Sequence, residues 1–122
     1  PESVHALDLD GLRRPEITFW TAWVGTELVG CGALKMLDAS HGEIKSMRVS
    51  GTRRRSGAGR AMLHHIVAEA RHRGLKRLSL ETGSQPEFAP ARRLYASAGF
   101  AECGPFSAYV LDPYSVFMTR TL

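Results

Sequence analysis

The residues best suited to chemistry lie in a turn rich in arginine and glycine, residues 52–59, which follows a short apolar run. Gly57 and Gly59 carry no side chain, so a ligand can approach the backbone N–H groups of this turn closely. The helical spacing of apolar residues over 62–70 predicts a helix directly after the turn. The first N–H groups of a helix have no internal partner and carry partial positive charge. Full charges surround them, on Arg53, Arg54, Arg55 and Arg60. The turn therefore predicts a phosphate-binding site.

This turn lacks the patterns of two other phosphate-binding loops. It contains no GxxxxGK[ST] sequence, which argues against a nucleoside triphosphatase loop. The third glycine of a GxGxxG pattern would fall at Met62, which argues against a Rossmann dinucleotide site. On residue types alone, an ordinary strand–helix connection with a solvated arginine cluster is the alternative.

A carboxylate in the strand predicted over 43–49 is a candidate general base. Strand alternation is expected to place Glu43 on one face with Lys45, Met47 and Val49. A glutamate flanked by apolar side chains suits the task of taking a proton from an ammonium group. A surface carboxylate, or one paired with Lys45, is the alternative interpretation.

Two motifs in this chain resemble those of one family. The run Arg54-Arg55-Ser56-Gly57-Ala58-Gly59 fits the R/Q-x-x-G-x-G/A signature of the GNAT superfamily of acetyl-CoA-dependent N-acetyltransferases. The run ARRLYASAGF at 91–100 is similar to the A-x-x-L-Y-x-x-x-G-F segment of that superfamily. The two motifs occur in the expected order, with a strand before the first and a helix and another strand between them. The resemblance extends from about residue 17 to the end of the chain.

The resemblance implies acetyl-CoA as co-substrate and assigns residues to it. In the superfamily two parallel strands splay apart, and the pantetheine arm bonds to the backbone of the first strand, here Met47, Arg48 and Val49. The phosphates are then expected on the turn and the helix start, at Arg54, Arg55, Ser56, Gly57, Ala58, Gly59 and Arg60.

The resemblance also implies catalytic roles. Glu43 matches the position of the base glutamate of the superfamily's histone acetyltransferases, although many members use other groups or a water chain. Tyr95 matches the tyrosine that protonates the leaving CoA thiolate, whereas packing in the core is the ordinary role for such a tyrosine. Many members have an asparagine where this chain has Phe88. The expected reaction is direct attack by an amine, with no acyl-enzyme.

The acceptor is expected to be a small-molecule or peptide amine, which the two motifs do not define further. Glu81 and the loop 104–115 are candidates for its binding, with strand-end solvation and loop packing as the alternatives. A non-catalytic CoA-binding domain and a basic nucleic-acid-binding module are the other function classes. We expect no nucleic-acid partner and no membrane partner, and a homodimer is possible.

Composition is consistent with one soluble domain over 1–122. The chain has 43% hydrophobic and 23% charged residues, a net charge of +4 and two cysteines. Cys31 and Cys103 lie in apolar segments, which favours reduced packing residues and a cytoplasmic location over a disulfide. No apolar run reaches membrane-spanning length. No HExxH pattern or cysteine cluster supports the three histidines at 64, 65 and 72 as ligands, so no metal is expected.

Periodicity supplies the elements that must position these residues. Strands are predicted over 17–24, 28–37, 43–49, 76–82, 99–103 and 116–121, and a second helix over 88–98. The expected fold is α/β (α+β), with a mixed, mostly antiparallel sheet, flanking helices and a splayed parallel pair at the cofactor site. Compared with the superfamily, a first strand and most of a first helix are expected to be missing before residue 17.

Overall fold

A computed structural model of the chain describes residues 14–50 and 57–122. Within them, six strands and two α-helices follow in the order β1 (Ile17–Val24), β2 (Glu27–Met36), β3 (His41–Val49), α1 (Ala58–His72), β4 (Arg77–Gly83), α2 (Ala89–Ser97), β5 (Ala101–Cys103) and β6 (Ser115–Thr121). A short 3₁₀ helix, Pro86–Phe88, precedes α2. The predictions on the missing N-terminal elements, and on Arg53, Arg54, Arg55 and Ser56, concern parts of the chain outside the described residues.

The strands form one sheet in the order β1-β2-β3-β4-β6-β5. The neighbours β3 and β4 run parallel, and the other neighbouring pairs are antiparallel. α1 connects β3 to β4, as a parallel pair requires, because such strands need a crossover connection. The predicted mixed, mostly antiparallel sheet with flanking helices is confirmed.

Both helices pack on the same face of the sheet, called here the helix face. The apolar residues of α1 are buried as their spacing predicts, namely Met62, Leu63, Ile66, Val67 and Ala70. They share one core cluster with sheet residues such as Leu34, Ile44 and Leu80. Tyr95 of α2 belongs to the same cluster. Apolar packing therefore fixes both helices against the sheet.

The loop 104–115 lies on the opposite face, called here the loop face. The Phe106 ring contacts the Phe117 ring of β6 edge to face, with centroids 5.9 Å apart. Met118, the next residue, belongs to the core on the helix face, as strand alternation requires. A chain of hydrogen bonds also crosses the loop face, from His41 to Ser79 to Thr119.

The parallel strands β3 and β4 are paired for only part of their length. Their register starts at His41 opposite Arg77 and ends at Ile44 opposite Leu80. Beyond that point β3 remains paired with β2 and β4 with β6, but the two strands are no longer paired with each other. Residues 45–49 and 81–83 thus border a slot, which confirms the predicted splayed pair.

A bulge in β3 changes which face its residues occupy. Ser46 has a positive φ of 57°, and the register shifts so that Ser46 and Met47 both stand opposite Gly32. The Met47 side chain consequently packs against the core cluster on the helix face, whereas Glu43 lies on the loop face. The expected shared face of Glu43 and Met47 is therefore wrong, because simple alternation does not continue through a bulge.

The described residues give four further observations. Trp20 packs against the core cluster, whereas Trp23 is exposed. Cys31 and Cys103 are both free thiols. Within the described residues, no group of ligand side chains is arranged to hold a metal ion. The helices of the same ranges are too short or too polar to cross a membrane.

Candidate active site

The start of α1 offers backbone N–H groups to an anion. Gly57 caps the helix in the left-handed conformation, with φ at 91°, which a glycine adopts without steric cost. Among the described residues, no side chain caps these N–H groups, and the first turn of α1 contains no acidic residue. Their partial positive charge is therefore unopposed there. Arg60, in this first turn, is exposed.

Three elements converge closely at Gly59. A β-carbon built on Gly59 would lie 3.2 Å from Val49 Cγ2 of β3 and 3.3 Å from Leu94 Cδ2 of α2. A side chain at this position would therefore push against both neighbours. Because Gly59 has no side chain, the start of α1 lies close to the unpaired end of β3, at one end of the slot.

The end of β3 directs a backbone amide toward the slot. The Ser50 N–H donates to the Val29 carbonyl oxygen at 2.9 Å, on the β2 side. Because successive N–H groups of a strand alternate between its two edges, the N–H of Val49 is directed to the other edge. That edge has no β4 partner at this level. Val49 thus provides a donor inside the slot.

Tyr95 is held on the helix face by apolar contacts. Its ring contacts the Phe100 ring edge to face, with centroids 6.1 Å apart, and the residue is 7% exposed. Burial raises the pKa of Tyr95 to about 12, and the positive charge of Arg48 acts in the opposite direction. The phenol therefore stays protonated at neutral pH and is able to donate a proton.

Glu43 is buried on the loop face and held by polar contacts. The residue is 3% exposed, although it carries a carboxylate. The Tyr109 hydroxyl donates a hydrogen bond to Glu43 Oε2 at 2.6 Å. Lys45 Nζ lies 3.5 Å from the same oxygen. Glu43 is therefore not a solvated strand-end carboxylate, and its pairing with Lys45 is the longer of its two contacts.

The β4 side of the slot carries Glu81, a predicted acceptor candidate, and Phe88, a departure from the superfamily pattern. Glu81 accepts a hydrogen bond from the Ser115 hydroxyl at 2.5 Å, so it is tied to the end of the loop 104–115. Phe88 stands where a polar residue is common in the superfamily, and its ring covers Gly83 so closely that a β-carbon there would overlap it. The Arg92 guanidinium donates to the carbonyl oxygen of Gly83.

The structure brings most of the predicted residues together around one slot. Met47, Arg48 and Val49 form its β3 edge, Gly59 lies at its end, Tyr95 belongs to the helix face and Glu43 to the loop face. The contact of Glu43 with Lys45 is the pairing that the sequence offered as an alternative. Sequence reasoning missed the contact of Glu43 with Tyr109, because no pattern near Glu43 indicates a residue 66 positions away.

Comparisons with known proteins agree with this geometry. The model of the acetyltransferase (GNAT) family matches residues 1–100. A Bacillus subtilis (strain 168) protein named uncharacterized N-acetyltransferase YsnE is 62% identical, over 100% of this chain and 81% of its own length. A protein of Azospirillum brasilense named IAA acetyltransferase is 43% identical, over 99% of this chain and 78% of its own length.

A solved structure gives the same result for the fold. The Klebsiella pneumoniae protein assigned as an acyl-CoA N-acyltransferase superposes with a TM-score of 0.85 and 32% identity. The superposition covers 98% of this chain and 81% of that protein. The family match, the relatives named as N-acetyltransferases and the divided sheet lead to one conclusion: the chain belongs to the GNAT family of acetyltransferases and is an acetyltransferase.

Proposed function

We propose that the chain is one acetyltransferase domain, residues 1–122, that moves the acetyl group of acetyl-CoA to a primary amine in a ternary complex. The observation that carries the proposal is the parting of β3 and β4 beyond Ile44 and Leu80, directly in front of the start of α1. An elongated ligand with phosphates at one end fits a slot that ends at unpaired helix N–H groups.

The described residues suit acetyl-CoA in two respects. The unpaired edge of β3, at Met47, Arg48 and Val49, offers main-chain groups to the amides of a pantetheine arm, much as a strand edge binds a peptide. Gly57, Ala58, Gly59 and Arg60 would receive the phosphates, and the missing side chain of Gly59 lets the start of α1 lie against Val49 at the end of β3. The assignment of phosphate contacts to Arg54, Arg55 and Ser56 remains a proposal from the family signature.

The residues of the slot divide the proton transfers between the two faces of the sheet. Acetyl-CoA, when bound, supplies the thioester that the amine attacks directly. Glu43 accepts the proton of the amine, either directly or through a water molecule. The Val49 N–H polarises the carbonyl group, and Tyr95 gives its phenolic proton to the leaving thiolate. Positioning two reactants in one slot removes a further entropic barrier.

The acceptor side of the slot is the loop face, where Glu43 and Glu81 are located. Two carboxylates favour a cationic amine, on a small molecule or a peptide, as the acceptor. The Azospirillum relative is named for IAA, so IAA belongs in any acceptor panel. The cytoplasm is the compartment we propose, and a homodimer is compatible with the proposal.

Calorimetric titration with acetyl-CoA tests the slot. A Gly59→Val substitution should weaken binding by about tenfold or more, because the added side chain would push against Val49 and Leu94. Ala68→Val is the matched control, since Ala68 is an exposed position toward the other end of α1. Equal weakening in both variants, or unchanged binding by Gly59→Val, would contradict the proposed site.

Thiol release from acetyl-CoA, measured with a panel of amines and confirmed by mass spectrometry, tests the reaction. An acetylated amine that appears at the same rate as free thiol supports the proposal. Binding of acetyl-CoA without thiol release for any amine would instead indicate a non-catalytic CoA-binding domain. Salt-dependent DNA binding without acetyl-CoA binding would indicate a nucleic-acid-binding module.

A further inference from the structure

We propose that Tyr109 is a positioning residue for the reaction, which fixes the Glu43 carboxylate so that one oxygen is held and the other faces the acceptor amine. The inference rests on the proposed function, since it assigns a task to a residue that acts through the proposed base. It concerns a contact that links β3 to the loop 104–115, between residues 66 positions apart in sequence.

The contact itself is short and specific. The Tyr109 hydroxyl donates to Glu43 Oε2 at 2.6 Å, and Lys45 Nζ lies 3.4 Å from the Tyr109 oxygen and 3.5 Å from Oε2. Both contacts to the carboxylate use Oε2. Oε1 is therefore the oxygen that we assign to the acceptor, since the hydrogen bonds and the ion pair given above for this carboxylate leave it unused. Hydrogen bonds to a charged acceptor are stronger than neutral ones, so the carboxylate is oriented as well as paired.

The Tyr109 ring is held in place by its neighbours, which a positioning role requires. It contacts the Phe106 ring at 5.1 Å and the Phe117 ring at 5.5 Å between centroids. A locked ring delivers its hydroxyl to one point, because a tyrosine has only two side-chain torsions to fix.

The end of the loop is tied to β4, which limits how far Tyr109 can move. The Ser84 hydroxyl donates to the Pro113 carbonyl oxygen at 2.7 Å, and the Ser84 N–H donates to the Tyr114 carbonyl oxygen at 3.0 Å. The Ser115 hydroxyl donates to Glu81. The loop therefore joins both strands that border the slot, β3 through Tyr109 and β4 through its own end.

Several charged groups share the surroundings of Glu43. Lys35 of β2 stands opposite Glu43 in the antiparallel register, and Lys45 follows it on β3. Electrostatic interactions link His41 to Glu43, and link Tyr109 to both Glu43 and Glu81. A substitution that removes only the Tyr109 hydroxyl leaves all these charges in place.

The test is the pH dependence of kcat/KM for Tyr109→Phe, with acetyl-CoA and an amine found by the thiol-release screen. Phenylalanine keeps the ring contacts and removes only the hydroxyl. A carboxylate that loses a donor holds its proton more tightly, so the acid limb should move to higher pH by about half a unit to one unit. We expect kcat to fall about fivefold to twentyfold, while KM for acetyl-CoA changes less than twofold. Tyr114→Phe is the matched control, because Tyr114 is an exposed tyrosine of the same loop.

Two further measurements separate positioning from a general loss of structure. In a Glu43→Gln background, Tyr109→Phe should add less than a twofold loss of kcat, because the group on which it acts is already absent. Without any substrate, alkaline absorbance titration should show Tyr109 ionising at lower pH in Glu43→Gln than in the wild type. The reason is that burial and the bond to Glu43 both raise the pKa of Tyr109.

The outcomes are distinct. If the acid limb of Tyr109→Phe is unchanged, or shifts only as much as that of Tyr114→Phe, the positioning role of Tyr109 is overturned. The proposed function still holds in that case, provided that the wild type acetylates an amine. An alkaline titration that Glu43→Gln leaves unchanged would also overturn it. A wild-type chain that acetylates no amine would overturn the proposed function itself.

Discussion

The two faces of the sheet hold the proposed acid and the proposed base by different physical means. On the helix face, Tyr95 is fixed by apolar packing within a core of α1, α2 and sheet residues. On the loop face, Glu43 is fixed by a hydrogen bond from Tyr109 and by contact with Lys45. The same sheet therefore buries the proposed acid among apolar side chains and orients the proposed base by polar contacts. Substitutions on the two faces are expected to fail in different ways.

The largest loss of kcat is expected from substitution of Glu43, the proposed base on the loop face. Glu43→Gln keeps the shape of the side chain and removes its ability to take a proton, so kcat should fall by about 100-fold or more. The acid limb of the pH–rate profile should disappear with it. Steady-state thiol release between pH 5.5 and 9 measures both.

The control for this prediction is Glu102→Gln, at an exposed position of β5. We expect wild-type kinetics from it. A Glu43→Gln enzyme that retains the acid limb would show that another group, or a water chain, is the base.

A smaller loss of kcat is expected from substitution of Tyr95, the proposed acid on the helix face. Tyr95→Phe preserves the buried ring and removes the phenolic proton, so kcat should fall about tenfold, because water can replace part of the acid function. The Kd for acetyl-CoA should change little. Tyr114→Phe is the matched exposed control. Turnover that is unchanged in Tyr95→Phe would reduce Tyr95 to a packing residue.

The packing of the helix face can be tested without any substrate. A β-carbon at Gly42 would lie 2.8 Å from Leu75 Cδ1 and 2.9 Å from Leu34 Cδ1, so Gly42→Ala overfills the core. We expect the free energy of unfolding to fall by about 1–2 kcal/mol. Gly104→Ala is the control, since among the described residues no atom beyond the adjoining ones in the chain lies within 4 Å of a β-carbon there. Equal urea midpoints for the two variants would contradict the tight packing around Gly42.

The smallest expected effect is a change of folding stability with pH, caused by His41 on the loop face. Burial lowers the pKa of His41, whose Nε2 lies 2.6 Å from the Ser79 hydroxyl oxygen. The unfolded chain therefore binds more protons than the folded chain as pH falls through the ordinary histidine range near 6.5, so folding stability decreases there. Urea unfolding at pH 7.5 and 5.5 should show this decrease in the wild type. His41→Gln should lessen it, whereas the exposed His64→Gln should not.

The helix face could largely be predicted from sequence, because its signals are local. The five buried residues of α1 follow the helical period, and the apolar face of α2 that carries Tyr95 follows it as well. The start of α1 directly after Gly57 follows from the position of that glycine, which adopts the left-handed conformation without steric cost. Contacts between residues three or four positions apart are encoded within one helix turn.

The loop face could not be predicted in the same way. The bulge at Ser46 inserts one residue into the ladder, and a serine with positive φ leaves no mark on the alternation of side chains. Tyr109 reaches Glu43 only because the loop 104–115 returns over the sheet, although α1, β4, α2 and β5 lie between the two residues in sequence. Such a contact depends on the whole fold, so the pairing of Glu43 with Tyr109 needed the structure.

The most direct test of the proposed cofactor slot is a crystal structure of the chain from crystals soaked with CoA. We expect the pantetheine arm to lie between β3 and β4 where they part, bonded to main-chain groups of Met47 to Val49. The phosphates should lie at the first N–H groups of α1. Continuous pairing of residues 45–49 with 81–83, or CoA bound at another surface while the slot holds only solvent, would contradict it.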